Sequence, residues 1–296
     1  RTFVGTPTAS KSADVARSAY GNIRRDFRWR GLSVSLKAGF DVGSKMRDIR
    51  GGSASYTFVG ADGSAASSAA NAARISDPVT STLPSPWGFP RMERFSSKKA
   101  LDLINSTPSY FVRNLNDEYR SRVAASKHAE EVVAAAYIRG DAAFLNGRLK
   151  LVGGARLEQT NVKAEGPLSD PTRNYRQDSG GNVMMDDKGR PILLAPAGNP
   201  LGISQITYLE RGSRATKEYL RWFPSLNASY NISDNLIARA AYYQSIGRPN
   251  FNQYAGGVTL PDTELPPSSA NRIRVNNVAI KPWLARTVKV RLENYF

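Results

Sequence analysis

Apolar and polar residues alternate along the run 220–243. Leu220, Trp222, Pro224, Leu226, Ala228 and Tyr230 occupy even positions, with Arg221, Phe223, Ser225, Asn227, Ser229 and Asn231 between them. A period of two is the signature of a β-strand with one apolar and one mostly polar face. Ile232-Ser233-Asp234-Asn235 supplies tight-turn chemistry. The pattern then resumes with Leu236, Ala238, Ala240 and Tyr242 on one face. Asn235, Arg239, Tyr243 and Ser245 take the other, where Ile237 and Ala241 are apolar members. The spacing predicts a long hairpin over 219–251.

The same alternation appears in five other places. Residues 18–29 put Ala19, Gly21, Ile23, Phe27 and Trp29 on one face, interrupted by Arg25, which a bulge or a shielding neighbour would accommodate. Arg30-Gly31 makes a short turn into 32–47, where Leu32, Val34, Leu36, Ala38, Phe40, Val42 and Met46 share a face. Residues 132–144 carry Val132, Ala134, Ala136, Ile138 and Phe144 on one side, with Tyr137, Arg139 and Asp141 on the other. Asn146-Gly147 is a strong hairpin signal. It leads into 148–163, with Leu149, Leu151, Ala155 and Leu157 opposite Lys150, Arg156, Glu158 and Thr160. The run 286–296 alternates Val288, Val290, Leu292 and Phe296 with Lys289, Arg291, Glu293 and Tyr295.

Between these strands lie three long stretches without alternation: 48–128, 164–216 and 248–284. The first holds a Gly/Ala/Ser-rich run, GADGSAASSAANAA, a Pro-punctuated segment over 78–90, and helix candidates near 97–104 and 114–131. The second contains a small hairpin about Asp187-Lys188-Gly189, and the third is rich in Pro and Asn. Residues 1–17 read as loop. Short and long connections therefore alternate strictly. Soluble sandwiches do not sort loop lengths this way, whereas outer-membrane barrels pair short periplasmic turns with long external loops. The seven predicted strands also exceed the ~5–6 residues usual in soluble sheets.

Aromatic placement supports the same class. Phe27, Trp29, Phe144, Tyr230 and Phe296 sit on apolar faces near the short-turn ends, and Phe40, Trp222 and Tyr242 sit further up. Two levels of aromatics are the girdles expected at the two interfaces of a bilayer, with the apolar faces meeting outer-membrane lipid. The fold class read from the chain is all-β: an antiparallel transmembrane β-barrel segment of about seven strands.

Composition narrows the alternatives. With 41 Lys+Arg against 25 Asp+Glu the net charge is +16, which admits a nucleic-acid or anionic partner. No run of five or more basic residues occurs, which favours basic side chains spread over polar faces and loops and no nucleic-acid partner. There is no Cys, so neither a disulfide framework nor a thiolate site exists. No apolar run approaches the ~18 residues of a membrane helix, which leaves a barrel open. The chain begins at Arg1 without Met and ends inside an alternating run, as a segment cut at both ends would.

The hairpin over 219–251 resembles the barrel of TonB-dependent outer-membrane receptors. The resemblance lies in Phe223-Pro224-Ser225-Leu226-Asn227, Asn235-Leu236, Arg239-Ala240-Ala241-Tyr242, and Arg248-Pro249 with Phe251. Further on, Asn277 and Lys281-Pro282-Trp283 resemble the family's NPDLKPW segment, with Val278 and Ala279 in place of its Pro and Asp. Leu292-Glu293-Asn294-Tyr295-Phe296 resembles its LEYYF strand. The match is specific over 217–296, fair over 129–163 and loose over 18–60. It implies a roughly 22-stranded barrel with a plugged lumen, of which residues 1–296 are a part. Plug, remaining strands and the segment that contacts the TonB-ExbB-ExbD complex would lie elsewhere. It further implies import of a siderophore, cobalamin or oligosaccharide at the bacterial outer membrane, with the three long stretches external. The rivals are a passive porin, an outer-membrane enzyme, and a soluble basic β-protein that binds nucleic acid.

Candidate chemistry is sparse. His128 is the sole histidine and reads as a solvated loop residue, so no His-based metal site, and no cofactor, is expected. Asp186-Asp187 reads as a polar turn, and no nucleophile elbow or phosphate loop is present, so no catalytic residue is assigned. Arg139, Asp141, Arg156 and Glu158 share the polar face of one hairpin, where wall-stiffening ion pairs are the first reading and ligand passage the second. Tyr110, Tyr119, Tyr175 and Tyr208 in the long connections are candidates to stack on sugars or aromatic chelators, against the plainer reading that they pack their own loops.

Overall fold

The computed structural model describes residues 10–61, 63, 75–79, 82–84, 86–90, 94–276 and 280–296. Most of the Gly/Ala/Ser-rich run and residues 277–279 of the second resemblance lie outside them.

The long strands are β1 (Lys11–Trp29), β2 (Leu32–Arg50), β5 (Lys127–Phe144), β6 (Leu149–Ser169), β7 (Tyr208–Asn231), β8 (Leu236–Gly247) and β11 (Trp283–Asn294). Short ones are β3 (Ser55–Phe58), β4 (Phe111–Asn114), β9 (Val258–Thr259) and β10 (Arg274–Val275). The seven long strands form one antiparallel sheet in the order β1-β2-β5-β6-β7-β8-β11. They are the seven that alternation predicts. The sheet is open, with β1 and β11 at its ends. Among the described residues no helix is long and apolar enough to cross a membrane, which does not bear on strands.

The register joins the seven alternations into one surface. Residues directly opposite each other on paired strands share a face. Phe40 faces Ala136, Ala136 faces Leu157, and Leu157 faces Trp222. A second row runs Ala142, Leu151, Ala228, Ala240 and Val290. Slipping any strand by one residue would move its whole apolar set to the other side. No pair does so, and a single apolar outer face extends across the sheet. Arg25 lies opposite Leu36 in a β1–β2 ladder that is unbroken from Lys11 to Trp29. The bulge offered above for Arg25 is therefore not there, and Arg25 stays on the apolar face.

The short turns have the backbone their residues predict. Arg30 and Gly31 both have positive φ (51° and 82°), the arrangement of a two-residue turn that matches strand twist. Leu145, Asn146 and Gly147 also lie in the left-handed region. The other ends differ from the sequence expectation. β1 starts at Lys11 within what reads as loop, β6 runs on to Ser169, and β7 begins at Tyr208. The helix expected over 114–131 ends at Ala125, because the chain enters β5 at Lys127. Spanning hydrocarbon takes ~9–11 strand residues. Beyond that length polar residues occupy both faces, as Glu210, Ser213, Thr216 and Lys217 show on β7. The ladder holds such a stretch, with no alternation to reveal it. Between Gly166 and Leu168 the β6–β7 register shifts, with Arg211 at φ 54°.

The long connections are structured. In the first, β3 and β4 pair, and Phe58 packs edge-on against Phe111 with ring centroids 5.2 Å apart. The helix Leu115–Ala125 follows, capped by the Asn114 side chain. In the second, Met185 opposite Pro191 closes the small hairpin about residues 186–189, and a helix spans Pro200–Thr207. The third, after β8, folds inward over the polar face. Its helix Phe251–Tyr254 and Ala255 form a buried cluster with Ala129, Val162 and Ala164. All three wall residues have inner-face parity, so the sheet's buried core lies on the side that the sequence reads as wet.

Candidate functional site

The inner face carries ion pairs among the four charged residues that share it. Arg139 and Asp141 pair at 2.5 Å, and Arg156 and Glu158 at 2.6 Å. Both pairs form along one strand, two residues apart. Across the hairpin Arg139 faces Gly154 and Asp141 faces Val152, so no cross-strand pair joins them. Arg156 reaches instead over β5 to Asp41 on β2, at 3.5 Å.

Glu158 has a second cation, Arg248, which donates to its other oxygen. The Arg248 guanidinium also lies 4.0 Å from Glu131, a buried residue on β5. Two carboxylates withdrawn from water need such a partner, since an unpaired buried charge is costly. The local sequence places it. β8 ends at Gly247, Pro249 holds Arg248 extended, and the Asn250–Gln253 capping box starts the short helix that lays Tyr254 on the wall. Burial pushes the Tyr254 phenol up to about 12. Phe251 lies beneath the Arg47 guanidinium at 5.8 Å. Neither Glu131 nor Arg248 is among the sequence candidates for this network. The signal was the Arg-Pro element, which resemblance singled out without giving it a role.

The four loop tyrosines part company. Tyr110 packs on Phe58 within its own connection, ring centroids 6.3 Å apart. The Tyr175 hydroxyl donates to Asp262, tying the second connection to the third, and burial with that carboxylate pushes the phenol up to about 12. Tyr119 donates to the Tyr208 carbonyl at 3.0 Å. The Arg120 guanidinium stacks on the Tyr208 ring at 4.4 Å and donates to its hydroxyl. Only Tyr119 and Tyr208 thus come together, at the start of β7.

Two clefts open at this end of the sheet. One, of about 530 Å3, is lined by Pro167, Leu168, Tyr208, Val258, Arg272 and Arg274 among others. The other, of about 520 Å3, is lined by Arg50, Arg113, Glu118, Arg122 and Glu210.

The girdle candidates lie on the outer face. Trp29, Phe40 and Trp222 are more than half exposed there. Phe27, Phe144, Tyr230 and Tyr242 share the face by register. Phe296 lies two residues past the end of β11, so it is not the last residue of a strand as alternation suggests. His128 corrects a second expectation. It is on β5, half-buried between Asp48 (3.4 Å) and Glu130 (3.2 Å), and is not a solvated loop residue. Among the described residues no group of His, Cys, Asp and Glu is placed to hold a metal ion. Asp186 serves its turn, accepting from the backbone of Lys188 and Arg190 and pairing with the Arg190 side chain at 2.7 Å. Arg190 and the turn amides lower its carboxyl below the usual range.

The family model described as "TonB dependent receptor-like, beta-barrel" matches residues 2–296. Among solved structures, the chain is similar to the ferric-catecholate import receptor Fiu from K12 E. coli in its closed form, with a TM-score of 0.46 and 13% identity. That match covers 96% of this chain and 29% of the receptor's. The comparison with curated proteins returns no match.

Proposed function

Because the chain belongs to the TonB-dependent receptor-like β-barrel family, we propose that it is part of the wall of an outer-membrane receptor. That receptor binds a scarce nutrient outside the cell and imports it with energy from TonB. The observation that carries this reading is the family match over 2–296. The continuous apolar face supports it: a face set with Phe27, Trp29, Phe40, Phe144, Trp222, Tyr230 and Tyr242 suits lipid, with aromatics toward the two interfaces. The three long connections are then external, and the wall does no chemistry. It shapes a vestibule in which the third connection narrows the lumen and the rim clefts offer the ligand its first contacts. Siderophores, cobalamin and oligosaccharides are the candidate cargoes, and the TonB-ExbB-ExbD complex is the partner, reached through a segment outside this chain.

The test uses the full-length parent. It should fractionate with outer membranes, resist carbonate extraction, and support uptake of a scarce nutrient that is lost equally on deleting the receptor or TonB. Recovery in the carbonate-soluble fraction would overturn the barrel assignment. Uptake that persists without TonB would favour a passive pore.

A further inference from the structure

The two rim clefts have similar volumes and different charge balance. In the cleft beside the helix Leu115–Ala125, Arg113 pairs with Glu118 at 2.5 Å. Arg50 pairs with Asp48 at 3.3 Å and Glu210 at 3.6 Å, and Glu210 also accepts from Ser126. Arg50 and Arg113 are thus paired with carboxylates within the protein, and Arg122 lies over the Tyr119 ring at 5.3 Å.

The cleft above β6 is different. It forms because β5 stops short: past the pair His128–Glu165, the edge of β6 is free, and β9 adds to it in parallel at Leu168 and Ser169. Gly257 makes the approach possible. It has φ +85°, and a Cβ there would sit 2.7 Å from the Pro167 carbonyl oxygen. β10 pairs with β9 and brings Arg272 and Arg274 to the wall of the cleft. Among the described residues no acidic side chain lines it. Arg274 donates only to the Ser269 carbonyl, at 3.4 Å, and Arg272 has no side-chain partner among the described residues. Tyr208, which also lines the cleft, carries the Arg120 guanidinium on its ring. Pro167, Leu168, Val258, Ile273 and Val275 provide the apolar lining.

From this we infer that the cleft beneath β9 and β10 is a binding subsite for a molecule carrying carboxylate or similar oxyanion groups on an apolar body. The inference rests on the import reading for its purpose and narrows the cargo to anionic molecules over neutral sugars. Guanidinium groups meet carboxylates through paired, charge-assisted hydrogen bonds. Two of them beside an apolar floor give affinity to the charge and to the body together. A neutral saccharide would leave both arginines uncompensated.

The experiment measures phthalate binding to the detergent-solubilised full-length receptor by calorimetry, with its uncharged dimethyl ester and maltotriose as comparisons. Phthalate should bind, weaken with added salt, and bind at least ~10-fold better than the ester. The double variant Arg272→Gln/Arg274→Gln should lose at least ~10-fold in phthalate affinity. Ile273→Glu keeps both arginines but sets a carboxylate beside them, and should weaken phthalate as well. Arg113→Gln, which removes a paired arginine from the other cleft, should not. Each variant is first checked for the heat-modifiable gel mobility of a folded barrel. Equal binding of acid and ester overturns the subsite, as does undiminished phthalate binding by either cleft variant when folded. TonB-dependent uptake is scored separately on the same strains. If uptake depends on TonB but phthalate binding fails these tests, the subsite falls and the receptor reading stands.

Discussion

The two faces of one sheet are built on different terms. On the outer face large apolar side chains stand exposed in rows among the described residues: Phe40 and Trp222 in one row, Val290 in another. On the inner face, a segment of the same chain returns to cover Ala129, Val162 and Ala164, and ion pairs run from Asp41 to Arg248. The pleat assigns residues to these faces by parity alone. What differs is the partner. The outer face stands open, and the inner face is partly covered by the chain's own third connection. A substitution on one side should therefore be judged by solvation, and on the other by the particular contacts it breaks.

The largest effect should come from the inner side. Arg248→Ala removes the cation shared by Glu158 and Glu131; Glu158 keeps Arg156, and Glu131 is left buried without a cation. Losing one partner of such a group costs about 3–5 kcal/mol. Arg139→Ala removes an exposed pair with Asp141, worth about 0–1 kcal/mol. Limited proteolysis of the folded full-length receptor should find the connection 248–282 cut readily in the first variant and as in wild type in the second. Equal resistance would mean that the segment is held by Tyr254 and Ala255 alone.

Neighbouring alanines sharpen the contrast next. Ala240 belongs to the outer row, opposite Ala228 and Val290, and Ala241 faces Asn227 and Lys289. Arginine on a lipid face near the bilayer midplane costs ~2–4 kcal/mol, while on a lumen face it stays hydrated. Ala240→Arg should reduce the folded fraction seen on an unheated gel. Ala241→Arg should leave it nearly unchanged, since Lys289 adds only a screened repulsion. The reverse order would place lipid on the other face and undo every assignment by parity.

Glycines at the same height make a smaller, steric version of the comparison. At Gly154, on the inner side, a new Cβ would lie 2.4 Å from the Ile138 carbonyl oxygen, so backbone must move. At Gly153, on the outer side, the nearest atom is the flexible Leu226 Cδ1 at 3.2 Å. Gly154→Ala should cost about 1–3 kcal/mol, as overpacking does, and Gly153→Ala less than about 1. Thermal loss of the folded gel band compares them, and equal losses would show that the hairpin yields at both positions alike.

Strand order, register and the outer face were legible because alternation with a period of two survives wherever one face is apolar and the other polar. It failed where that contrast fades. The upper part of β7, with Glu210 and Lys217, reads as loop although a ladder holds it. Ala129 and Ala164 give no hint that they seat a distant segment, because small residues fit either face. Arg139, Asp141, Arg156 and Glu158 were visible as a charged patch. Their partners Glu131 and Arg248 were not, since what joins them is a chain reversal after β8 that only tertiary contact with the wall defines. The tyrosines were harder still. An aromatic in a long connection looks the same whether it packs inward, as Tyr110 does, or meets another connection, as Tyr175 does at Asp262.

The smallest effect is absent at neutral pH and appears only in alkali. Tyr254 is buried against the inner wall, and its pKa rises from the ordinary 10 to about 12. A group whose folded pKa lies above its unfolded one stabilises the fold fully below the unfolded value, and loses that contribution as pH rises through the folded value. Contact of the third connection with the wall should therefore hold to about pH 10 and weaken toward about 12. Tyr175 has the same elevated pKa, but it joins the second connection to the third at Asp262 and does not touch the wall cluster, which makes it the control. Hydrogen exchange over 248–259, followed from about pH 8 to about 12 after correction for intrinsic rates, should show protection falling in wild type and in Tyr175→Phe. In Tyr254→Phe, which keeps the ring and lacks the ionising group, protection should persist to higher pH. If all three lose protection together, alkali acts through other groups, and the inner face does not owe its closure to the buried phenol.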